Sequence, residues 1–167
     1  NLHLYTYFAS NKTWRQRTEI VPDVKSFLLL PDDRFYVSTS NTGIYAYDSK
    51  GELITHMFQS LPLVNGLVNN HIQTMYYDPQ SRMVAVAYHK HDITLFLADS
   101  RELCEHYVQW GGNLFHVEDI ISFAPADDGT VWLGTEDNGA YRVKLDGSDK
   151  IIENRFPKSA ITALMKD

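Results

Sequence analysis

Several short polar stretches hold the residue types that could do chemistry in this chain. His89-Lys90-His91 sets two imidazoles at alternate positions. On one strand face that spacing would offer two nitrogen ligands to a metal ion. The stretch shows no third ligand and no carboxylate to orient either ring, so it reads as an exposed polar loop and no metal site is assigned. Asn69-Asn70-His71, His116-Val117-Glu118-Asp119 and Lys158-Ser159 carry groups that hydrogen-bond sugar hydroxyls. Trp110, beside Gly111-Gly112, offers a flat ring for a sugar to stack on. Glu118 and Asp119 are adjacent carboxylates, but neighbours on a strand point to opposite faces. A glycosidase pair must instead converge across the scissile bond. No G-x-S-x-G, P-loop or G-x-G-x-x-G occurs, so no catalytic residue and no cofactor is expected.

These residues need elements to position them, and composition bounds which. The 167 residues are 44% hydrophobic and 22% charged, within the range of a globular domain with its own core. Aromatics reach 13%, with ten Tyr and eight Phe, and large rings favour a pleated, half-buried surface. The net charge is −6 with scattered basic residues, which argues against a nucleic-acid partner. Cys104 is the sole cysteine, so an internal disulfide and a thiolate metal site are excluded. A small buried hydrophobe is its expected role. No apolar stretch approaches the length of a membrane span, and no signal peptide is expected at the start of the chain.

A repeat organises the whole. Val24-Lys25-Ser26-Phe27 lies against Ile120-Ile121-Ser122-Phe123, and the two copies run in step without a gap. Phe35-Tyr36-Val37-Ser38-Thr39 falls on Val131-Trp132-Leu133-Gly134-Thr135, and Gly43-Ile44-Tyr45 on Gly139-Ala140-Tyr141. A middle copy starts at Ile72 and takes one inserted residue near His91, and a fourth opens at Ile161. The anchors Val24, Ile72, Ile120 and Ile161 are spaced by 48, 48 and 41 residues, the period of a propeller blade. Each copy shows a short apolar run, an Asp-rich turn, a second run with alternation, a third strand and a fourth. Four short strands separated by turn chemistry make an antiparallel meander, and no segment keeps a helical apolar period.

The expected fold is therefore all-β, a partial β-propeller of four-stranded antiparallel blades. Residues 1–20 form a half blade, 24–60, 72–110 and 120–157 three complete blades, and 161–167 the start of another. Three whole blades are few for closure, so the chain is expected to be part of a larger propeller, with open edges that invite a homodimer.

Asp127-Asp128-Gly129-Thr130-Val131-Trp132-Leu133-Gly134-Thr135-Glu136-Asp137-Asn138-Gly139 resembles the two-component regulator propeller repeat. The shared pattern is a D-G turn, an aromatic-hydrophobic-G-T step and a Gly before the third strand. Asn69-Asn70-His71-Ile72 resembles the polar lead-in to a blade of that family. The first copy lacks the Trp and the first Gly, and the second replaces the signature with Val84-Ala85-Val86-Ala87 and His91. The resemblance implies the periplasmic sensor region of a hybrid two-component histidine kinase, in which propellers detect oligosaccharides. Its membrane helix and kinase would lie in other parts of the parent, so this segment is expected to be non-catalytic. A protein-interaction scaffold, or a propeller hydrolase or lyase, is the alternative.

Trp132, Gly134, Thr135 and Gly139 are expected to be structural, the Trp filling space between blades and the glycines allowing close approach. In a propeller the loops entering each first strand share one face with the second-to-third-strand loops. The candidate ligand-binding residues on that face are Asn70, His71, His89, His91, Trp110, His116, Glu118, Asp137 and Asn138.

Overall fold

The computed structural model describes residues 2–20, 23–59, 67–98, 107–109, 117, 119–145 and 151–166. Every element among them is a strand. The first two, β1 (Leu2–Phe8) and β2 (Thr13–Ile20), form an antiparallel ribbon. Blade 1 is β3 (Val24–Leu29), β4 (Phe35–Thr39), β5 (Ile44–Tyr47) and β6 (Leu53–Met57). Blade 2 is β7 (Ile72–Asp78), β8 (Met83–Tyr88), β9 (His91–Leu97) and β10 (Tyr107–Gln109). Blade 3 is β11 (Ile120–Pro125), β12 (Val131–Thr135), β13 (Ala140–Val143) and β14 (Ile151–Arg155). Each blade is a four-stranded antiparallel sheet in chain order. Residues 161–166, the expected start of a further blade, contain no assigned strand. The backbone there still docks on blade 3, where Ile161 N–H donates to the Thr135 carbonyl at 2.9 Å.

The blades stack through their first two strands, and the side-chain period of two explains how one strand serves two interfaces. In β8, Val84, Val86 and Tyr88 face blade 1, while Met83, Ala85 and Ala87 face blade 3. Hence β8 is buried at every position, where the sequence reading expected alternation. A sheet covered on both faces selects a continuous apolar run instead. Tyr36 meets Phe96 edge-on across the first junction, ring centroids 5.7 Å apart. Tyr76 stacks on Phe123 across the second at 5.5 Å.

Strand pairing also relocates the insertion. Val24 pairs with Thr39, Ile72 with Tyr88 and Ile120 with Thr135, so Tyr88 stands where the other blades have Thr. Five positions separate Tyr88 from Ile93, as they separate Thr39 from Ile44. The loop at His91 is therefore not lengthened. The extra residue sits at the opposite end of blade 2, in the turn between Asp78 and Met83.

Outward faces differ in cover. Phe27 is 44% exposed, whereas Met75, its equivalent in blade 2, is 8% exposed because blade 1 packs on it. Trp132 is half-buried on the side of blade 3 away from blade 2, with the Arg155 guanidinium 6.0 Å from its ring. It lines a groove of about 410 Å³ with Ala140, Phe156 and Leu164. Trp132, expected to fill space between blades, lies among the described residues on the face of blade 3 that no blade covers.

Candidate functional site

Backbone hydrogen bonds show which loops share an end of the blades. The residue before the first strand of blades 1 and 3, Asp23 or Asp119, holds a left-handed backbone with φ of 61° or 55°. Its carbonyl then accepts the N–H just past the second strand, Ser40 to Asp23 and Glu136 to Asp119, both at 3.0 Å. Asp and Asn tolerate that conformation best among residues with a side chain. At the far side of the same loop, Gly139 N–H donates to the Ser159 carbonyl at 2.9 Å. The entry loops and the second-to-third-strand loops therefore meet on one face.

The second-to-third-strand loops of blades 1 and 3 are built alike. Thr135 Oγ1 donates to the Gly139 carbonyl at 2.7 Å and accepts the Asn138 N–H at 2.9 Å. Thr39 makes the same pair of bonds with Gly43 and Thr42. Gly139, at φ 86°, would bring an added Cβ within 2.3 Å of the Arg155 carbonyl oxygen. The loop so fixed presents Asp137 and Asn138 to solvent, with Asn138 Nδ2 donating to Asp137 Oδ1 at 2.6 Å.

Blade 2 departs from this. Tyr88 donates its hydroxyl to Thr94 Oγ1 at 2.9 Å inside the sheet, and it pairs directly with His91. His89-Lys90 is thereby a two-residue turn, with Lys90 at φ 56°. The expected polar loop is thus confined to His89 and Lys90, and His91, expected within it, belongs to β9.

His89 has a partner from the next blade. Its Nδ1 lies 2.8 Å from Asp119 Oδ1, and that oxygen also accepts the Lys90 N–H at 2.9 Å. Glu136 completes the group, the nearest ligand atoms of all three residues lying within 4.8 Å of one another. His89 and Glu136 are exposed and Asp119 is half-buried. The arrangement can hydrogen-bond a hydroxyl-rich ligand or hold a cation.

Of the other expected residues, Asn70 is half-buried and its Oδ1 accepts the Gln59 N–H at 2.6 Å. Its role there is to anchor the entry loop. His71 is exposed, its N–H bonded to Asn69 Oδ1 at 2.9 Å. Trp110, His116 and Glu118 lie outside the described residues. Asp119 and Glu136 are the additions that sequence reading did not make. The repeat alignment hid them, because an insertion placed near His91 sets Tyr88 against Glu136, and only strand pairing shows that Glu136 occupies in blade 3 the position that His89 occupies in blade 2.

No family model matches the chain, and no curated protein matches it by sequence. Solved structures do. The yeast protein Sqt1 from Saccharomyces cerevisiae matches 99% of this chain with 48% of its own, at 12% identity and a TM-score of 0.72. The fold is that of a β-propeller. The extracellular domain of BT4673 from B. thetaiotaomicron, described as a hybrid two-component system, matches 96% of the chain at 20% identity and a TM-score of 0.63. That of BT3049 from the same organism matches 88% at 16% identity and 0.60. This chain spans 22% of the length of each of those two domains.

Proposed function

We propose that this chain is a segment of an extracytoplasmic sensor propeller, periplasmic in location, that binds an oligosaccharide without catalysis. The parent, a hybrid two-component system histidine kinase, carries the signal onward through a membrane helix and a kinase outside this segment. The observation that carries the reading is the face where His89, Asp119, Glu136, Asp137 and Asn138 gather at the blade 2–blade 3 junction. Hydroxyl-rich ligands are recognised by such sets of fixed polar groups. Loops on a rigid scaffold are also where binding function concentrates. The likeness to two sensor domains of B. thetaiotaomicron hybrid systems supports the same direction. The exposed Phe27 and Leu29 of blade 1 support a larger propeller, since a further blade covers such residues.

The experiment is a titration of an oligosaccharide panel against the complete sensor region of the parent by calorimetry. Saturable binding weakened by Asp137→Ala and Asn138→Ala is the expected result. Turnover of a glycan would move the reading to a hydrolase or lyase, and binding to none would sink it. A second reading, a protein-docking scaffold or homodimer, is favoured by one observation. The β1–β2 ribbon exposes Tyr5, Tyr7 and Trp14, the last two in tilted contact with ring centroids 4.9 Å apart, and aromatic patches of this kind anchor protein interfaces. Sedimentation of the chain alone separates the two, a concentration-dependent dimer supporting docking.

A further inference from the structure

We infer that His89, Asp119 and Glu136 form a binding site for a divalent first-row cation such as zinc, clamping blade 2 to blade 3. The donor set is one imidazole and two carboxylates, which suits zinc better than calcium or magnesium, the latter two preferring all-oxygen shells. The reach is right. Two bonds of about 2.1 Å allow ligand atoms no more than about 4.2 Å apart, and these three lie within 4.8 Å. Closing on an ion thus asks little movement of side chains that are half-buried or exposed.

The frame is already set by the backbone. The Lys90 N–H holds Asp119 Oδ1 at 2.9 Å, and the Glu136 N–H holds the Asp119 carbonyl at 3.0 Å. Both other ligands are therefore tied to Asp119 through their own residue or the next, so little ordering remains for an ion to impose. The same frame recurs in blade 1, where Ser40 N–H donates to the Asp23 carbonyl at 3.0 Å, but Ser40 stands where His89 and Glu136 stand. The corner between blades 2 and 3 has in addition the Lys90 N–H bond from the two-residue turn of blade 2, and its side chains are ones that ligate. Three protein ligands leave a fourth position for water or a bound molecule. This site does not depend on the oligosaccharide reading.

Calorimetric titration of the full chain with zinc chloride tests it, alongside thermal unfolding with zinc or with EDTA. Wild type is expected to bind one ion and to melt higher in zinc, because an ion bound only by the native state stabilises it. His89→Ala, Glu136→Gln and Asp119→Asn should each weaken binding by more than about tenfold and remove the zinc-dependent rise in melting temperature. Asn keeps the left-handed backbone at 119, so that variant retains the loop, which circular dichroism checks. His71→Ala should bind as wild type. No binding by wild type, equal binding by the three variants, or loss of binding in His71→Ala would each overturn the assignment.

Discussion

Ser26 and Ser122 show how the same residue at the same place in two blades can have opposite worth. Register pairs Ser26 with Ser38 in blade 1 and Ser122 with Gly134 in blade 3. The Ser26 and Ser38 hydroxyls bond at 2.7 Å, whereas Ser122 Oγ is buried without a hydrogen-bond partner. Gly134 removes that partner, and an added Cβ there would meet Ile161 Cγ2 at 2.8 Å. A hydroxyl that is satisfied contributes about 1 kcal/mol, and a buried one that is not costs its desolvation. Ser26→Ala should therefore destabilise by about 1 kcal/mol in urea unfolding, and Ser122→Ala should be neutral or stabilising. Asp128 gives a pH-dependent counterpart. The Thr130 hydroxyl, helped by the Arg142 guanidinium, lowers its pKa from 3.8 to about 2. A carboxylate depressed in the folded state adds stability above its unfolded pKa and loses it as pH falls through the folded one. The stability gap between wild type and Asp128→Asn should thus hold steady from neutral pH down to about 4, then close towards pH 2. A gap that stays constant to pH 2 would show that the bonds to Thr130 and Arg142 do not favour the ionised form.

At the scale of strands and turns, Gly139 marks what the chain could and could not announce. Its φ of 86° and the 2.3 Å approach to the Arg155 carbonyl leave no conformation for a side chain. Gly139→Ala should cost at least about 1–2 kcal/mol from the left-handed backbone alone, read as a lower urea midpoint. The same glycine, with Gly43, had fixed the second-to-third-strand loops in the sequence, because a turn residue with one permitted identity is legible. The strands were legible for a similar reason, each being a short apolar run bounded by turn residues. The repeat anchors Val24, Ile72 and Ile120 each open the first strand of a blade. The extra residue of blade 2 was not legible. Asp78-Pro79-Gln80-Ser81 offers turn chemistry at four or five residues alike, and only pairing of Asp78 with Met83 decides where the surplus lies. Nor was the His89 cluster, for its partners come from the next repeat and a window of local sequence cannot show them.

Across the molecule, blade 2 is the element on which both junctions depend. Tyr36, Val84, Val86 and Phe96 fill the junction with blade 1, and Ala85, Leu95, Leu133 and Val143 the junction with blade 3. In an array where each unit touches only its neighbours, stability is a sum of unit and junction contributions. A cavity at one junction should then be felt locally before it is felt globally. Leu133 is fully buried at the second junction, and Leu133→Ala removes three carbons from a site packed on both sides, a change that costs about 2–5 kcal/mol. Hydrogen exchange of that variant should show faster opening of β8, β11 and β12, while β4 and β5 amides, one junction away, keep most of their protection. Leu53→Ala, at a position 54% exposed on the outer strand of blade 1, should change neither. Equal loss of protection in β4 and β12 would instead mean that the three blades unfold as one cooperative unit. Binding a ligand or an ion at the His89 corner would then stiffen every blade together. With separable junctions the same event stiffens the second junction first, and a signal starting there must pass through blade 2 to reach blade 1.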